Sequence, residues 1–188
     1  MDWMEEIEEL RKRKDLFFKK DPRSPIPPEK RERFKGLSYY PVNPKYRFIL
    51  PLHEHKKKET LRILDTAGFE REYIRWGEFR FEIDGKKCKL QAYKDSPDDT
   101  RLFIPFRDKT NGKETYGAGR YIDLHEESDK TQDGKWILDF NKAYNPWCAY
   151  NPNYACPFVP PENWLDIEIY AGEKRFAVVP KVQEIEKI

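Results

Sequence analysis

The feature that most constrains the fold is an alternation of apolar and polar residues that recurs from residue 46 onward. In EFRFEI at 78–83 and RLFIPF at 101–106 the alternation has the two-residue period of a β-strand. Turn dipeptides lie between such segments, and Asp84-Gly85 favours a two-residue hairpin loop. No helical period separates the segments, which excludes the alternating strands and helices that a parallel sheet requires.

The alternating segments cover most of the chain. They lie at 46–52, 60–65, 70–75, 78–83, 87–93, 101–106, 115–124 and 135–141. A last hairpin is predicted from 165–170 and 175–180, on either side of the turn sequence AGEK. We therefore predict a mainly β fold, an antiparallel β-barrel or sandwich of roughly nine short strands with an N-terminal amphipathic helix.

Residues 2–20 have the period of that amphipathic helix. Asp2 and Glu5 have the spacing of a capping box at its start. The basic run RKRK at 11–14 has two interpretations, an anion-binding patch or the solvated face of the helix, and we favour the solvated face. The stripe predicted to face the body of the protein is Trp3, Ile7, Leu10 and Phe17, with Met4 and Phe18 at its border.

A length of 188 residues suits one domain with its own core. The proline-rich stretch after the helix is interpreted as a rigid connection laid over the domain, and a polyproline II ligand for a partner is the alternative. The predicted organisation is a single domain over 1–188, with the helix at 1–20, the proline-rich arm at 21–45, the β-barrel at 46–180 and a tail at 181–188.

Composition narrows the class of function. A formal net charge of +2 provides no strong field for nucleic acid or an anionic membrane. No apolar run has the length of a membrane span, and the charged N-terminus lacks the apolar stretch of a secretory signal. Three cysteines are too few for a disulfide scaffold. We therefore expect a cytoplasmic protein, and we expect neither membrane nor nucleic acid as a partner.

Between residues 102 and 163, polar side chains alternate with large aromatic ones. Ordinary surface loops consist mainly of small polar residues instead. Arg120 shares one face of its predicted strand with apolar residues, so its guanidinium needs a partner. The candidate partners are Asp108, Glu114 and Asp139. The long loop at 142–164 is rich in aromatic residues, and we expect it to pack over the barrel.

These residues predict a concave site at one end of the barrel for a polar or anionic small molecule, and hydrolysis is one reaction that it would suit. The candidates for general acid, general base or metal ligand are Asp108, Glu114 and Asp139. The candidates for ligand binding are Arg107, Arg120, Tyr116, Asn141, Tyr144, Asn145 and Trp147. The two arginines suit a carboxylate or a phosphate, which a guanidinium binds through two parallel hydrogen bonds. The pattern assigns no cofactor.

Two alternatives to this site stay open. The same polar residues could form a structural network that fixes the long loop onto the sheet. The protein could also be a non-enzymatic interaction or structural domain that holds a partner, or a second copy of itself, through the helix and the proline-rich arm.

The histidines and cysteines give weaker signals. His53 and His55 lie beside three lysines, without a third ligand at metal spacing, so we predict no metal site. Cys148 and Cys156 match no zinc or redox motif. We interpret them as buried thiols, with a disulfide as the alternative.

Several longer motifs carry a resemblance to a known family. They are DPRSPIP at 21–27, GLSYYPV at 36–42, LFIPFRD at 102–108, ETYGAGRY at 114–121, LDFNKAYNPWCAYN at 138–151, CP at 156–157 and AGEKRF at 171–176. With these motifs the chain resembles the DUF1684 family, a prokaryotic domain of unknown function. The resemblance implies a single domain of about this size and supplies no activity, cofactor or catalytic residue.

Overall fold

The computed structural model describes residues 1–177, which contain seven strands. The strands are β1 (Arg47–Leu50), β2 (His53–Leu64), β3 (Glu70–Ile83), β4 (Lys86–Lys94), β5 (Arg101–Phe106), β6 (Arg120–His125) and β7 (Trp136–Asp139). A five-stranded antiparallel sheet has the order β2-β3-β4-β5-β6, and β1 pairs with β7 in a separate two-stranded sheet.

Three α-helices and four 3₁₀ turns accompany the sheets. The helices are α1 (Trp3–Lys20), α2 (Pro28–Arg31) and α3 (Glu126–Asp129). The 3₁₀ turns lie at Pro44–Tyr46, Phe140–Lys142, Trp147–Ala149 and Pro161–Asn163. None of the helices in this part of the chain combines the length and the apolarity needed to cross a bilayer.

The predicted mainly β, antiparallel fold with an N-terminal helix is confirmed, but the closed barrel and the count of nine strands are wrong. The strand order of the larger sheet ends at β2 and at β6, which do not pair with each other, so the sheet does not close. The segments 70–75 and 78–83 form one continuous strand, because β3 passes through a bulge where the register shifts between Arg75 and Gly77. Strand β6 begins only at Arg120, after a turn.

The last predicted hairpin is wrong as well, because no strand lies within 165–177. An extended segment presents alternate carbonyl groups on one side, where a neighbouring strand would donate to them. Here the side chain of Arg120 donates instead, to the carbonyl oxygens of Ile169, Ala171 and Glu173. One guanidinium thus replaces a strand partner.

The hairpin's remaining residues, 178–180, and the predicted tail at 181–188 lie outside the described residues. The single-domain organisation stays a prediction.

The main apolar core lies between the two sheets. The ring of Phe48 in β1 lies 5.2 Å from the ring of Phe81 in β3 and 6.1 Å from that of Phe140, measured between centroids. The opposite face of the larger sheet carries a second buried cluster, formed by Ile63, Tyr73, Tyr93, Phe103, Tyr121 and Val159. Val159 belongs to the long loop, which therefore packs over this face.

Helix α1 begins with the predicted capping box, in which Asp2 accepts from the backbone of Glu5 and the Glu5 side chain accepts from the backbone of Asp2. Its buried face differs from the predicted stripe: Leu10 is 44% exposed, whereas Arg11 is only 9% exposed. The stripe that faces the body is Trp3, Ile7, Arg11, Lys14 and Phe18. The RKRK segment is therefore not simply the solvated face of the helix.

The proline-rich arm packs against the end of α1. Ile26 and Phe34 are buried in one cluster with Phe18 and Tyr150. Further along the arm, the backbone of Tyr40 donates to the carbonyl oxygen of Gly172 at 3.0 Å. The arm thereby joins the first helix to the end of the described chain.

Gly172 provides a test of how tightly the end of the described chain packs against the segment after β7. Its φ is +81°, and a Cβ atom there would lie 2.7 Å from the carbonyl oxygen of Ala143. Gly134 has a similar φ of +83° with open space around it. We expect Gly134→Ala to cost about 1–2 kcal/mol of unfolding free energy through backbone strain. Gly172→Ala should cost about 1–3 kcal/mol more, because overpacking adds to the strain.

Urea denaturation of both variants measures the difference. Equal losses of stability in the two variants would show that the segment around Gly172 is not tightly packed.

Candidate functional site

Arg120 lies at the centre of a sealed polar network. Its side chain is fully buried, and it donates to the carbonyl oxygens of Ile169 at 3.0 Å, Glu173 at 3.2 Å and Ala171. Asp108 lies 3.4 Å away as its ion-pair partner. Burial lowers the pKa of Arg120, and the charge of Asp108 opposes that effect. The predicted pairing with Asp108 is present, but no face of the guanidinium is open to a ligand.

Asp108 is equally enclosed. Its carboxylate accepts from the Thr110 hydroxyl at 2.7 Å, from the Asn111 side chain at 3.0 Å and from the backbone of Ile169 at 2.7 Å. These donors come from the loop after β5 and from the segment that Arg120 holds. The Arg120–Asp108 pair therefore joins three parts of the chain, in the geometry of a structural network.

Asp139 and Asn141 form a second, separate network at the end of β7. Asp139 accepts from the backbone and side chain of Asn141, both at 2.9 Å, and from the indole nitrogen of Trp3 at 2.8 Å. The Asn141 side chain pairs with the backbone of Asn43 through two hydrogen bonds of 2.9 Å. This network attaches the start of α1 and the arm to the two-stranded sheet.

Two further predicted residues lie nearer the surface. Glu114 is exposed and accepts from the Tyr40 hydroxyl at 2.5 Å. Arg107 is half-buried, with its guanidinium 4.7 Å from the ring centroid of Trp164. Neither residue shares a hydrogen bond with Asp139 among those described.

Tyr116 and Trp147 lie beside the cysteine-containing part of the long loop. The Tyr116 hydroxyl is 3.6 Å from the sulfur of Cys148. The Trp147 ring meets the rings of Phe18 and Tyr154 edge-on. The ten predicted site residues thus fall into several neighbourhoods and do not surround one opening.

The structure contains a different opening, a cavity of about 270 Å³ between α1 and the segment after β7, which we call the helix cleft. Its charged lining residues are Arg11, Lys14, Lys142 and Glu173, its tyrosines are Tyr39 and Tyr144, and Ile7, Leu10, Asn141 and Ala143 complete it. Only Asn141 and Tyr144 belong to the residues predicted from the sequence. Lys14 pairs with Glu173 and Lys142 pairs with Asp129, whereas the carboxylate that pairs with Arg11, Glu8, is largely exposed. Within residues 1–177, Arg11 is therefore the lining cation that lacks a buried counter-charge.

Glu173 is the acidic group of the helix cleft and is 2% exposed. It forms an ion pair with Lys14. Its other oxygen accepts from the Tyr150 hydroxyl at 2.6 Å and from the backbone of Asn145 at 2.7 Å. The Asn145 side chain donates to the carbonyl oxygen of Lys174 at 2.9 Å. The carboxylate is therefore fixed in place by the long loop and by α1.

Tyr144 forms the opposite wall of the helix cleft. Its backbone pairs with that of Tyr121 in β6, and its hydroxyl donates to Asp123 at 2.5 Å. Burial, together with the charge of Asp123, raises the pKa of Tyr144. The ammonium of Lys14 lies 5.0 Å from the centroid of this ring. The phenol stays protonated at neutral pH and presents its ring to the cation.

Arg11 is the buried cation of the helix cleft. Its guanidinium donates to the carbonyl oxygens of Tyr40 at 2.8 Å and Asn141 at 3.4 Å, and it lies 4.5 Å from the ring centroid of Tyr39. Its Nε has no hydrogen-bond partner within residues 1–177. Burial lowers the pKa of Arg11, and Glu8 is the main charge that opposes the shift.

Arg11 and Lys14 belong to the RKRK segment, for which we favoured the solvated face over an anion-binding patch, and Glu173 was not among the residues predicted from the sequence. The spacing of four, four, three and four residues from Trp3 to Phe18 is helical and passes through both cations, so the signal was present in α1. No local pattern marks Glu173, because its position depends on contacts with distant parts of the chain.

A metal site is not apparent in the described part of the chain, where no three His, Cys, Asp or Glu side chains come together. His55 hydrogen-bonds to the Gln91 side chain at 2.7 Å, and His53 is exposed.

The two arginines proposed as ligand-binding residues provide a test of the sealed network. Arg120→Met leaves the Asp108 carboxylate buried without its partner, and we expect a loss of about 3–5 kcal/mol in unfolding free energy. Arg107→Met removes a half-buried contact with Trp164 and should cost about 1 kcal/mol or less. Urea denaturation of the two variants measures both losses. Similar losses for both would contradict the structural role of Arg120.

Comparisons with other proteins agree with this fold. A family model described as "Protein of unknown function (DUF1684)" matches residues 32–174. The chain is similar to the solution NMR structure of an uncharacterized protein from gene locus rrnAC0354 of Haloarcula marismortui, with 38% identity, coverage of 92% of this chain and 94% of that chain, and a TM-score of 0.71. A search of curated proteins found no match. Since the family model spans most of the chain, the protein belongs to the DUF1684 family of proteins of unknown function.

Proposed function

We propose that the protein binds a small organic anion in the helix cleft. The ligand carries a carboxylate or phosphate group and an apolar or aromatic part. This keeps the ligand class expected from the sequence but moves the site away from Arg107 and Arg120. Arg11 and Lys14 take over the role of binding the anionic group.

The observation that carries the proposal is the buried guanidinium of Arg11. Burying a cation is costly unless it is paired and hydrogen-bonded. The ion pair that Arg11 makes is with Glu8, at 3.8 Å, and that carboxylate is largely exposed. Nearby Asp139 and Glu173 are already hydrogen-bonded to other donors. A ligand anion in the cleft would add a counter-charge for the Arg11 guanidinium.

The rest of the cleft supports a ligand with an apolar part. Ile7, Leu10 and Ala143 line it together with the rings of Tyr39 and Tyr144. Apolar walls with a few convergent polar groups are typical of small-molecule sites. The volume of about 270 Å³ restricts the ligand to a small molecule.

The proposal is limited to binding and does not extend to hydrolysis. Asp108 and Asp139 accept from neighbouring donors in separate buried networks, and Glu114 is exposed. Glu173, the carboxylate of the cleft, is held by Lys14 and Tyr150. A general base needs a free position within hydrogen-bond reach of the proton it removes.

Isothermal titration with phenyl phosphate and with benzoate tests the proposal, and benzyl alcohol is the uncharged control. We expect at least one of the two anions to bind more tightly than the alcohol. Lys14→Met should weaken that binding by about 10-fold or more, since a charge-assisted hydrogen bond contributes about 1.5–3 kcal/mol. Lys12→Met is the matched control, because Lys12 is an exposed lysine on the same helix that pairs with Glu9.

A second variant separates ligand binding from the folding role of Lys14. Leu10→Trp places a larger side chain in the cleft and leaves every charge unchanged; it should also reduce anion binding. The proposal fails if neither anion binds the wild type, or if Lys12→Met weakens binding as much as Lys14→Met.

A further inference from the structure

The long loop brings two of the three cysteines together, away from the helix cleft. Cys148 lies in the 3₁₀ turn Trp147–Ala149, and residues 149–155 separate it from Cys156. The backbone N–H of Cys148 donates to the sulfur of Cys156 at 3.3 Å, so the two cysteines are adjacent. Both are reduced; Cys148 is half-buried and Cys156 is buried.

The surroundings of Cys148 stabilise its thiolate. The Tyr116 hydroxyl lies 3.6 Å from its sulfur, and burial raises the pKa of that phenol, so the phenol stays a donor. The hydrogen bond from Cys156, with a smaller contribution from Tyr116, lowers the pKa of Cys148 to about 6. The same bond raises the pKa of Cys156. These opposite shifts favour Cys148 as the thiolate of the pair and Cys156 as the thiol.

The loop is held at both cysteines by contacts with other parts of the chain. The backbone of Cys156 exchanges hydrogen bonds with Thr66, at 3.1 Å to its hydroxyl and 3.0 Å from its backbone nitrogen. On the other side, the Trp147 ring packs edge-on against Phe18 of α1. Both sulfurs are thus positioned by the fold.

We propose that Cys148 and Cys156 form a peroxide-reactive dithiol. The Cys148 thiolate attacks one oxygen of hydrogen peroxide, the O–O bond breaks, and the products are a sulfenic acid and hydroxide. The Cys156 thiol then gives up its proton, its sulfur attacks the sulfenic sulfur, and water leaves as the disulfide forms. Each disulfide therefore releases one water and one hydroxide, and the hydroxide becomes a second water by taking up the proton that Cys148 released to solvent when it ionised. A small dithiol reductant returns both cysteines to the thiol form.

Tyr116 acts as a positioning residue in this scheme, because its hydroxyl lies 3.6 Å from the Cys148 sulfur and is the donor when that sulfur is a thiolate. Cys88 in β4 is an internal reference. Its sulfur contacts the carbonyl oxygen of Lys86 at 3.6 Å, and burial raises its pKa. A thiol of that kind reacts slowly at neutral pH.

The test treats the full chain with one equivalent of hydrogen peroxide at pH 7 and maps the peptides without reduction. We expect a disulfide between Cys148 and Cys156, with Cys88 left as a thiol. In the reduced protein, iodoacetamide should modify Cys148 at least about tenfold faster than Cys88, because its thiolate fraction is larger. The Cys88→Ser variant is the matched control and should form the same disulfide.

Single substitutions separate the two steps. Cys156→Ser should stop at a sulfenic acid on Cys148 that dimedone traps, whereas Cys148→Ser should leave Cys156 unoxidised. Tyr116→Phe should slow alkylation of Cys148 several-fold without preventing the disulfide. The proposal is overturned if the wild type forms no disulfide, or if Cys88 is oxidised as fast as Cys148. Neither outcome bears on anion binding, since no cysteine lines the helix cleft.

Discussion

The buried guanidinium of Arg120 is the interaction on which the C-terminal part of the described structure depends. It supplies to the carbonyls of Ile169, Ala171 and Glu173 the hydrogen bonds that a strand would otherwise supply. The ion pair with Asp108 compensates its charge within the core. Because both side chains are buried away from solvent, the pair stabilises the fold and does not bind a ligand. Removal of either side chain would leave an unpaired buried charge.

The position of Glu173 follows from that interaction. Once its backbone is held by Arg120, its carboxylate reaches Lys14 of α1 and Tyr150 of the long loop. Few apolar side chains of α1 are buried, so polar contacts attach much of this helix to the body. A helix attached in this way keeps a cation-lined space beneath its central turns, whereas a fully apolar interface would close it. The helix cleft is therefore a consequence of how α1 is attached.

Local chemistry explains which elements could be predicted from the sequence. The Asp84-Gly85 turn was predictable because both residues adopt positive φ there, as a tight hairpin requires. The capping box of α1 was predictable because Asp2 and Glu5, the two residues that form it, are close in sequence. The last hairpin was mispredicted because its donor, Arg120, is about fifty residues away in the chain. A strand pattern shows the alternation of side chains and not the source of the backbone hydrogen bonds.

The candidate site was misplaced for a related reason. A charged residue between apolar neighbours indicates that the charge needs a partner, but not whether that partner is the protein or a ligand.

The most direct test is a crystal structure of the protein grown with a saturating concentration of whichever anion, phenyl phosphate or benzoate, binds more tightly in solution. We expect its anionic group in the helix cleft, within about 3 Å of the Arg11 guanidinium and the Lys14 ammonium, with the ring against the apolar wall. A saturated crystal in which the cleft holds only water, or in which the anion lies at Arg107 or elsewhere, would contradict anion binding in the helix cleft.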